Sequence, residues 1–315
     1  MDEWARIALL RRIHSAGSPG VDVGIGDDAA VLCPADIIPS QPRLVWTIDE
    51  QVEGTHFRRR FVSWSEIGWR SMMAAASDVA AMGAQPWCAL CALVLPADVD
   101  DASFQEMLQG QRDAASVVGA PVVGGNLARG PALSLATTVL GACTKAVERR
   151  GAMAGDGLWM AGRVGLAAAG LRALERGDDE NPSLAEAVAK WRRPNALVQE
   201  GRAMAGLAHA AVDVSDGLAR DAGHLGKASS VQIVFDGQAL LEDEGLARAA
   251  EALGEEPLNL ALYGGEDYAL VAASASALVG FRRIGELRKG EGVILRTAAG
   301  ERRIEEQGFD HFEAK

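Results

Sequence analysis

The stretch Ser77-Asp-Val-Ala-Ala-Met-Gly-Ala84 lies at the end of a run of small and apolar residues in the N-terminal half of the chain, and it is central to the prediction of the fold there. Apolar residues at helical spacing before it predict a helix that Ser63 or Ser65 caps and that ends near Gly83. Asp78 is a lone charge in this helix, and a buried carboxylate needs a charged partner or a metal ion. The stretch therefore predicts a helix with a functional carboxylate near its C-terminal end. The alternative is an Asp that faces solvent.

Strands alternate with helices on both sides of this helix, which is typical of mixed α/β domains. In the N-terminal half we predict helices over 2–14 and 101–118, and strands over 44–48, 87–95, 121–123 and 133–140. In the C-terminal half we predict strands over 158–161, 211–214, 231–235, 268–273 and 292–296, and helices over 165–175, 196–208, 218–228 and 238–253. Because 315 residues are about twice the length of an ordinary domain, we predict an α/β (α+β) fold with two domains, 1–147 and 148–315.

The charge balance narrows the classes of partner. Lys and Arg number 31 against 43 Asp and Glu, which gives a formal net charge of −12. This charge argues against nucleic acid or an anionic membrane as a partner. No apolar run reaches the roughly 18 residues of a membrane span, and Met1-Asp-Glu-Trp4 is acidic where a signal peptide is basic. We therefore expect a soluble, cytoplasmic protein that binds neither nucleic acid nor a membrane.

Acidic residues recur in Gly-rich turns. The acidic turns are Gly24–Asp28, Asp49–His56, Asp213–Gly217 and Gly264–Tyr268, and a related turn, Gly124–Gly130, has Asn126 where the others have acid. The first matches a loose G-x-G-x-x-A dinucleotide pattern, but Asp27 and Asp28 would face the pyrophosphate. Like charges about 4 Å apart repel by about 1 kcal/mol even in water. Mg²⁺ would relieve this repulsion, because it binds carboxylates and shares phosphate oxygens with a substrate. A solvated Asp-rich turn is the alternative.

Phosphate transfer by this chain would depend on acids and metals. The sequence has no Walker A motif, so no lysine cradle for phosphate is predicted. In Ala211–Gly217, strand alternation puts Asp213 and Ser215 on one face. Asp216 falls at the turn into a helix, where Ser or Asp can cap the first N–H groups.

The ordered motif set resembles one known family. The motifs of this set are, in order, Gly26-Asp-Asp-Ala-Ala-Val31, Thr47-Ile-Asp49, Val52-Glu-Gly-Thr-His-Phe57, Ser77–Ala84, Gly124-Gly125, Asp213-Val-Ser-Asp-Gly-Leu218 and Gly264-Gly-Glu-Asp-Tyr268. Together they resemble the thiamine-monophosphate kinases, of the aminoimidazole-ribotide-synthetase-like superfamily. The resemblance implies an N-terminal domain, 1–147, that binds ATP and metal and whose mixed sheet pairs across a homodimer, and a C-terminal α/β domain, 148–315. It also implies that ATP phosphorylates thiamine monophosphate to the diphosphate in a cleft between the domains, with several Mg²⁺ ions.

The resemblance also assigns residue roles by position. It implies Asp28, Thr47, Asp49, Asp78, Asp213 and Asp216 as metal ligands, with Asp49, Asp78 and Asp216 catalytic. It implies Gly125, Asn126, Arg150 and Ser215 as ATP contacts, and His56, Glu266 and Phe309 as contacts of the thiamine substrate. The attacking group would be an anionic phosphate oxygen, so metals that relieve repulsion matter more than a strong general base.

Two positions depart from the family pattern. Asn126 replaces a metal-binding Asp, and Ile48 replaces a Thr beside Asp49. We expect both changes to fall at the metal nearest the transferring phosphate. The alternatives are therefore a superfamily enzyme with another acceptor and a nucleotide-binding homologue with weakened catalysis.

Overall fold

The computed structural model describes residues 43–309 continuously and, before them, residues 9–10, 12–13, 21–23 and 31–32. The predicted helix over 2–14 falls mostly outside these ranges, and Asp28 falls wholly outside them. The described residues form two compact units. The first takes those up to Val79 together with Ala84–Ala146, and the second takes Ala80–Gly83 and those from Val147 onward. Helices and sheets in both confirm the α/β class, while the functional roles of the two domains stay predictions.

The first unit has two sheets and two long helices. Its strands are β1 (Val21–Val23), β2 (Val31–Leu32), β3 (Arg43–Val52), β4 (Gln85–Leu95), β5 (Val122–Arg129) and β6 (Ser134–Cys143), and its helices are α1 (Trp64–Ala81) and α2 (Asp101–Val118). The last two residues of α1 are grouped with the second unit. The larger sheet has the order β3-β6-β4-β5, with β4 and β5 parallel and the other pairs antiparallel. The sheet is therefore mixed, as predicted.

Capping residues fix the start of α1 and both ends of α2. Ser63 caps α1: its Oγ accepts from the Glu66 N–H at 3.3 Å, and its own N–H donates to Glu66 Oε2 at 2.7 Å. This reciprocal pair is a capping box, which satisfies two N–H groups that the helix leaves open. Asp100 caps α2, and Gly119 ends it in the left-handed conformation, φ 76°. The predicted start of α1 and both predicted ends of α2 are confirmed.

The predicted turn over Gly124–Gly130 was wrong. Gly124–Arg129 continue strand β5, which pairs in parallel with β4. Close packing explains the glycine, because a Cβ on Gly125 would overlap with the carbonyl oxygen of Cys91. A glycine pair that looks like a turn in the sequence is thus a place where two strand backbones approach closely.

The second unit has one sheet with helices. Its strands are β7 (Gly157–Ala161), β8 (Ala210–Val214), β9 (Gln232–Asp236), β10 (Ala269–Ser274), β11 (Arg282–Arg288), β12 (Val293–Thr297) and β13 (Gly300–Ile304). Its helices are α3 (Leu166–Arg176), α4 (Ala185–Arg192), α5 (Val198–Met204), α6 (Leu218–Ser229), α7 (Gly237–Leu240), α8 (Glu244–Leu253) and α9 (Pro257–Tyr263). The sheet order is β13-β12-β9-β11-β7-β10-β8, with β9 and β12 the parallel pair. The sequence did not predict α4, α9, β11 or β13.

One predicted helix, over 238–253, is two helices. Residues after Leu240 leave the helix, and Asp243 then caps α8 by accepting from the Leu246 N–H at 3.0 Å. Because Asp243 also forms an ion pair with Arg163, its carboxylate anchors the break to another part of the unit. The break is therefore set by a cap that the apolar periodicity does not reveal.

Helix α3 begins without a local side-chain cap. Its N-cap residue is Gly165, and Asp267 supplies the missing acceptor from a distant segment. One Asp267 oxygen accepts from the Gly165 N–H at 2.5 Å, and the other accepts from the Ala167 N–H at 3.0 Å. Asp267 is fully buried, and burial raises its pKa to about 6, although nearby Lys190 opposes the shift. The motif that contains Asp267 is therefore tied to the start of α3.

Candidate active site

In the first unit, one face of β3 meets helix α1. Thr47 and Asp49 are half-buried on this face, and Asp78 is half-buried near the end of α1. The Thr47 hydroxyl donates to Asp78 Oδ2 at 2.6 Å. Residues 31 positions apart, both predicted as metal ligands, are thus brought together by the packing of the helix on the sheet.

The same face carries Gln51, which sequence reasoning missed. Its Nε2 donates to Asp49 Oδ1 at 3.2 Å, and the side chain is only 2% exposed. Gln51 Oε1 has no hydrogen-bond partner among the described residues. The period of two along a strand could have identified it, because Thr47, Asp49 and Gln51 occupy alternate positions.

This face of β3 offers oxygen ligands of the type that Mg²⁺ prefers. A hydroxyl and two carboxylates supply hard oxygen atoms. Gln51 donates through Nε2 to one of these carboxylates, and its own Oε1 has no hydrogen-bond partner among the described residues. Within residues 43–309 and the short described pieces, no group of three or more His, Cys, Asp or Glu is arranged to hold a metal. Mg²⁺ bound with a nucleotide usually takes only one or two protein carboxylates and completes its shell with phosphate and water oxygens. The hydroxyl and carboxylate groups on this face are therefore of the chemical type that would bind such an ion.

Ile48 does not lie on this face. Its side chain is 65% exposed, on the opposite side of β3 from Thr47 and Asp49. Neighbouring residues of a strand point to opposite faces, so the Ile48 side chain is directed away from Thr47 and Asp49. That Ile48 falls at the metal nearest the transferring phosphate stays a prediction. Asn126 lies exposed on the edge strand β5.

Three further predicted residues have structural explanations of their own. The backbone N–H of Val52 donates to His56 Nδ1 at 3.0 Å, which leaves the proton of a neutral imidazole on Nε2. Gly125 is required by the close approach of β5 to β4. Arg150 is exposed, and its Nε donates to Glu148 at 2.6 Å. Each of these three contacts joins two residues of the same unit.

In the second unit, β8 leads directly into a tight loop, Ser215–Gly217. Asp213 is buried within β8, and Ser215 and Asp216 are half-buried at its end. Neither Ser215 nor Asp216 caps the helix that follows, because the N-cap of α6 is Gly217, which has no side chain.

Asp221, inside α6, provides the acceptor instead. Its Oδ2 accepts from the N–H groups of Ser215, Asp216 and Gly217 at 3.0, 3.0 and 3.1 Å. Burial raises the pKa of Asp221 to about 6, although these N–H groups favour its charged form. One buried carboxylate thus fixes the whole loop, and sequence reasoning missed it because it counted acids only in the Gly-rich turns.

Two other predicted segments join this loop through backbone hydrogen bonds. The Glu266 N–H donates to the Ser215 carbonyl at 2.7 Å, and the Phe309 N–H donates to the Asp216 carbonyl at 3.0 Å. Arg220 donates to the Phe309 carbonyl and lies 3.8 Å from Asp216 Oδ2. The second unit therefore assembles four of the predicted site residues, from three separate segments, around one loop.

The N-terminal part of the chain defines its class. Residues 26–143 match the family AIR synthase related protein, N-terminal domain. The crystal structure of thiamine-monophosphate kinase from Stenotrophomonas maltophilia K279a is similar at TM-score 0.82 and 32% identity, over 94% of this chain and 96% of that chain. The fold is that of the AIR-synthase-related proteins.

Similarity along the length of the chain then defines the family. The thiamine-monophosphate kinase of Aquifex aeolicus is 31% identical over 293 residues, 91% of this chain and 92% of that protein. The structure of AaThiL complexed with AMPPCP and TMP is similar at TM-score 0.81 and 29% identity, over 98% of this chain and 97% of that chain. The chain belongs to the thiamine-monophosphate kinase family, which confirms the resemblance read from its motifs.

Proposed function

We propose that this chain transfers the terminal phosphoryl group of ATP to the phosphate of thiamine monophosphate. Family membership over nine-tenths of the chain supports the proposal, together with a relative of the same fold in complex with AMPPCP, an ATP analogue, and TMP. The observation that carries it in this chain is the bond between Thr47 and Asp78, which joins two motifs of the family.

The first unit would supply metal-binding oxygens. Thr47, Asp49 and Asp78 would bind Mg²⁺, with Asp28 as a further ligand outside the described residues. Bound Mg²⁺ neutralises phosphate charge and lowers the repulsion between ATP and an anionic acceptor. The hydrogen bond from Gln51 would hold Asp49 in its rotamer. Gly125 and Asn126 on β5 are the proposed nucleotide contacts of this unit.

The second unit would supply the remaining groups. Asp213 and Asp216 are the proposed metal ligands there, and Ser215 and Arg150 the proposed ATP contacts. Glu266 and Phe309 would contact the thiamine part of the acceptor, as would His56 of the first unit. Because the acceptor oxygen is already anionic, these residues need to orient it rather than remove a proton.

A homodimer and a cytoplasmic location belong to the same proposal. Leu44, Trp46 and Ile48 form an exposed apolar row on edge strand β3, which is suited to pairing with a second copy. No helix in the described ranges is long and apolar enough to cross a membrane.

The test is turnover of thiamine monophosphate by the purified protein with ATP and Mg²⁺. We expect formation of the diphosphate. We also expect Asp78→Asn to lose at least 100-fold in kcat, because it removes a carboxylate that would bind Mg²⁺ and so stabilise the transition state. Asp113→Asn, an exposed Asp on α2, is the matched control and should retain wild-type activity. Absence of turnover at every Mg²⁺ concentration, or full activity of Asp78→Asn, would contradict the proposal.

Asn126 favours a second candidate, a homologue that binds nucleotide but catalyses weakly. Calorimetry that detects tight ATP binding without turnover would support this candidate, and recovery of turnover by Asn126→Asp would locate the defect. A panel of other phosphate-bearing acceptors, assayed in parallel, tests whether the acceptor differs.

A further inference from the structure

Helix α4, which the sequence did not predict, contributes Trp191 to the second unit. Trp191 is 1% exposed and is among the largest fully buried side chains. A buried indole N–H needs an acceptor. Trp191 Nε1 donates to Glu266 Oε2 at 2.6 Å, although the two residues are 75 positions apart. Hydrogen bonds to ionised acceptors are short and stronger than neutral ones.

Glu266 is also constrained by its backbone. Its φ of 64° is in the left-handed region, which costs a residue with a Cβ about 1 kcal/mol or more. The N–H groups of Glu266 and Tyr268 donate to the Ser215 and Val214 carbonyls at 2.7 and 2.8 Å. Between them, Asp267 is anchored on the start of α3. With the backbone fixed on both sides, the rotatable bonds of the Glu266 side chain decide where its carboxylate lies.

We propose that Trp191 is a positioning residue for substrate specificity, which sets the orientation of the Glu266 carboxylate toward the thiamine part of the acceptor. The inference rests on the proposed function, in which Glu266 contacts that part. Thiamine carries an exocyclic amino group and a cationic thiazolium ring, and a carboxylate can bind either. Both contacts depend on orientation, because hydrogen bonds weaken steeply when the angle at the hydrogen is poor.

The role of Trp191 in binding differs from its role in packing. A Phe at this position would still fill most of the buried space, but it has no N–H group. Glu266 is half-buried, so water can take the place of the indole as a donor, and the fold should tolerate the loss. What the substitution removes is one hydrogen bond that directs the carboxylate.

The experiment compares Trp191→Phe with wild type in steady-state kinetics. We expect KM for thiamine monophosphate to rise about tenfold, the scale of a lost hydrogen bond to a charged group, and KM for ATP to stay unchanged. Trp159→Phe is the matched control, because Trp159 Nε1 donates to a backbone carbonyl, that of Ser274, at 3.2 Å. Partial unfolding would lower kcat by reducing the active fraction, but it would leave both KM values unchanged.

A double-mutant cycle tests whether Trp191 acts through Glu266. Glu266→Ala alone should raise KM for thiamine monophosphate, and adding Trp191→Phe should raise it no further. Additive effects, an equal rise in both KM values, or an unchanged KM in Trp191→Phe would overturn the inference.

Direct binding separates this inference from the proposed function. Calorimetric titration of thiamine monophosphate into wild type and Trp191→Phe measures the same contrast without turnover. Binding that weakens about tenfold in the variant supports the positioning role even if turnover fails, whereas equal binding, or no binding to wild type, overturns it.

Discussion

Asp221 and Asp267 are buried carboxylates that each accept more than one backbone N–H group. Asp221 accepts three successive N–H groups of the loop after β8, and Asp267 accepts two at the start of α3. Asp221 holds the loop of Ser215 and Asp216, and Asp267 joins the segment of Glu266 to the start of α3. Burial raises the pKa of each carboxylate to about 6. An acid in a Gly-rich motif can thus serve the fold, and its partners decide which role it has.

The raised pKa of Asp267 predicts a pH dependence of stability. The ordinary value is 3.8 and the folded value about 6, so in this range the folded protein keeps a proton that the unfolded chain has lost. Rising pH therefore favours the unfolded state, by roughly 1.4 kcal/mol per unit of pKa difference. We expect the unfolding free energy of wild type, minus that of Asp267→Asn, to fall between about pH 4 and pH 6 and to level off above.

Urea unfolding of both proteins at a series of pH values measures this difference. Asp178→Asn, at an exposed position, is the control and should differ from wild type by a constant amount. A difference for Asp267→Asn that stays constant or grows with pH would contradict the prediction.

At the scale of elements, helices α1 and α2 touch through two glycines. A Cβ on Gly68 would overlap with the Met107 carbonyl oxygen, and one on Gly110 would overlap with the Ser65 carbonyl oxygen. Because both overlaps are with backbone, no change of rotamer relieves them. The two helices therefore pack closely at both points.

In Gly110→Ala, helix propensity and packing have opposite effects on stability. Alanine is the better helix former by about 1 kcal/mol, so propensity alone predicts a more stable protein. Overpacking against backbone costs about 1–3 kcal/mol or more. We expect packing to dominate, with a net loss of about 1–2 kcal/mol in chemical denaturation. Gln105→Ala, on the exposed side of α2, should change stability by less than about 0.5 kcal/mol, and a stabilised Gly110→Ala would show that the helices are not in tight contact.

The sequence predicted the two long helices of the first unit well, because periodicity and caps both marked them. Helix α2 was predicted over 101–118 and is Asp101–Val118. The missed elements are short or charged: α4 has eight residues, and strand β13, Gly-Glu-Arg-Arg-Ile, is mostly exposed. Such segments bury too few apolar side chains to produce a periodic signal. They form because the rest of the unit supplies partners.

At the scale of the whole molecule, the motifs predicted residue types but not most of their contacts. The bonds from Thr47 to Asp78 and from Trp191 to Glu266 join residues 31 and 75 positions apart. Alternation along β3 could have placed Gln51 with Thr47 and Ile48 on the opposite face. Nothing in the local sequence could have paired Trp191 with Glu266, because that contact depends on how helix α4 packs.

The exposed apolar row on β3 predicts how the molecule assembles. Trp46 is 71% exposed between Leu44 and Ile48, and Leu90 of β4 lies in register with Ile48 through Thr138 of β6. Burial of such a face against a second copy would be stabilised by about 25 cal/mol per Å² of apolar surface. We expect Trp46→Asp to convert a dimer into a monomer, because it would place a charge at the centre of this face. Light scattering after size exclusion measures the mass, with Val117→Asp, another exposed apolar residue, as the control that stays dimeric. A monomeric wild type, or a Trp46→Asp protein of unchanged mass, would exclude this face as the interface.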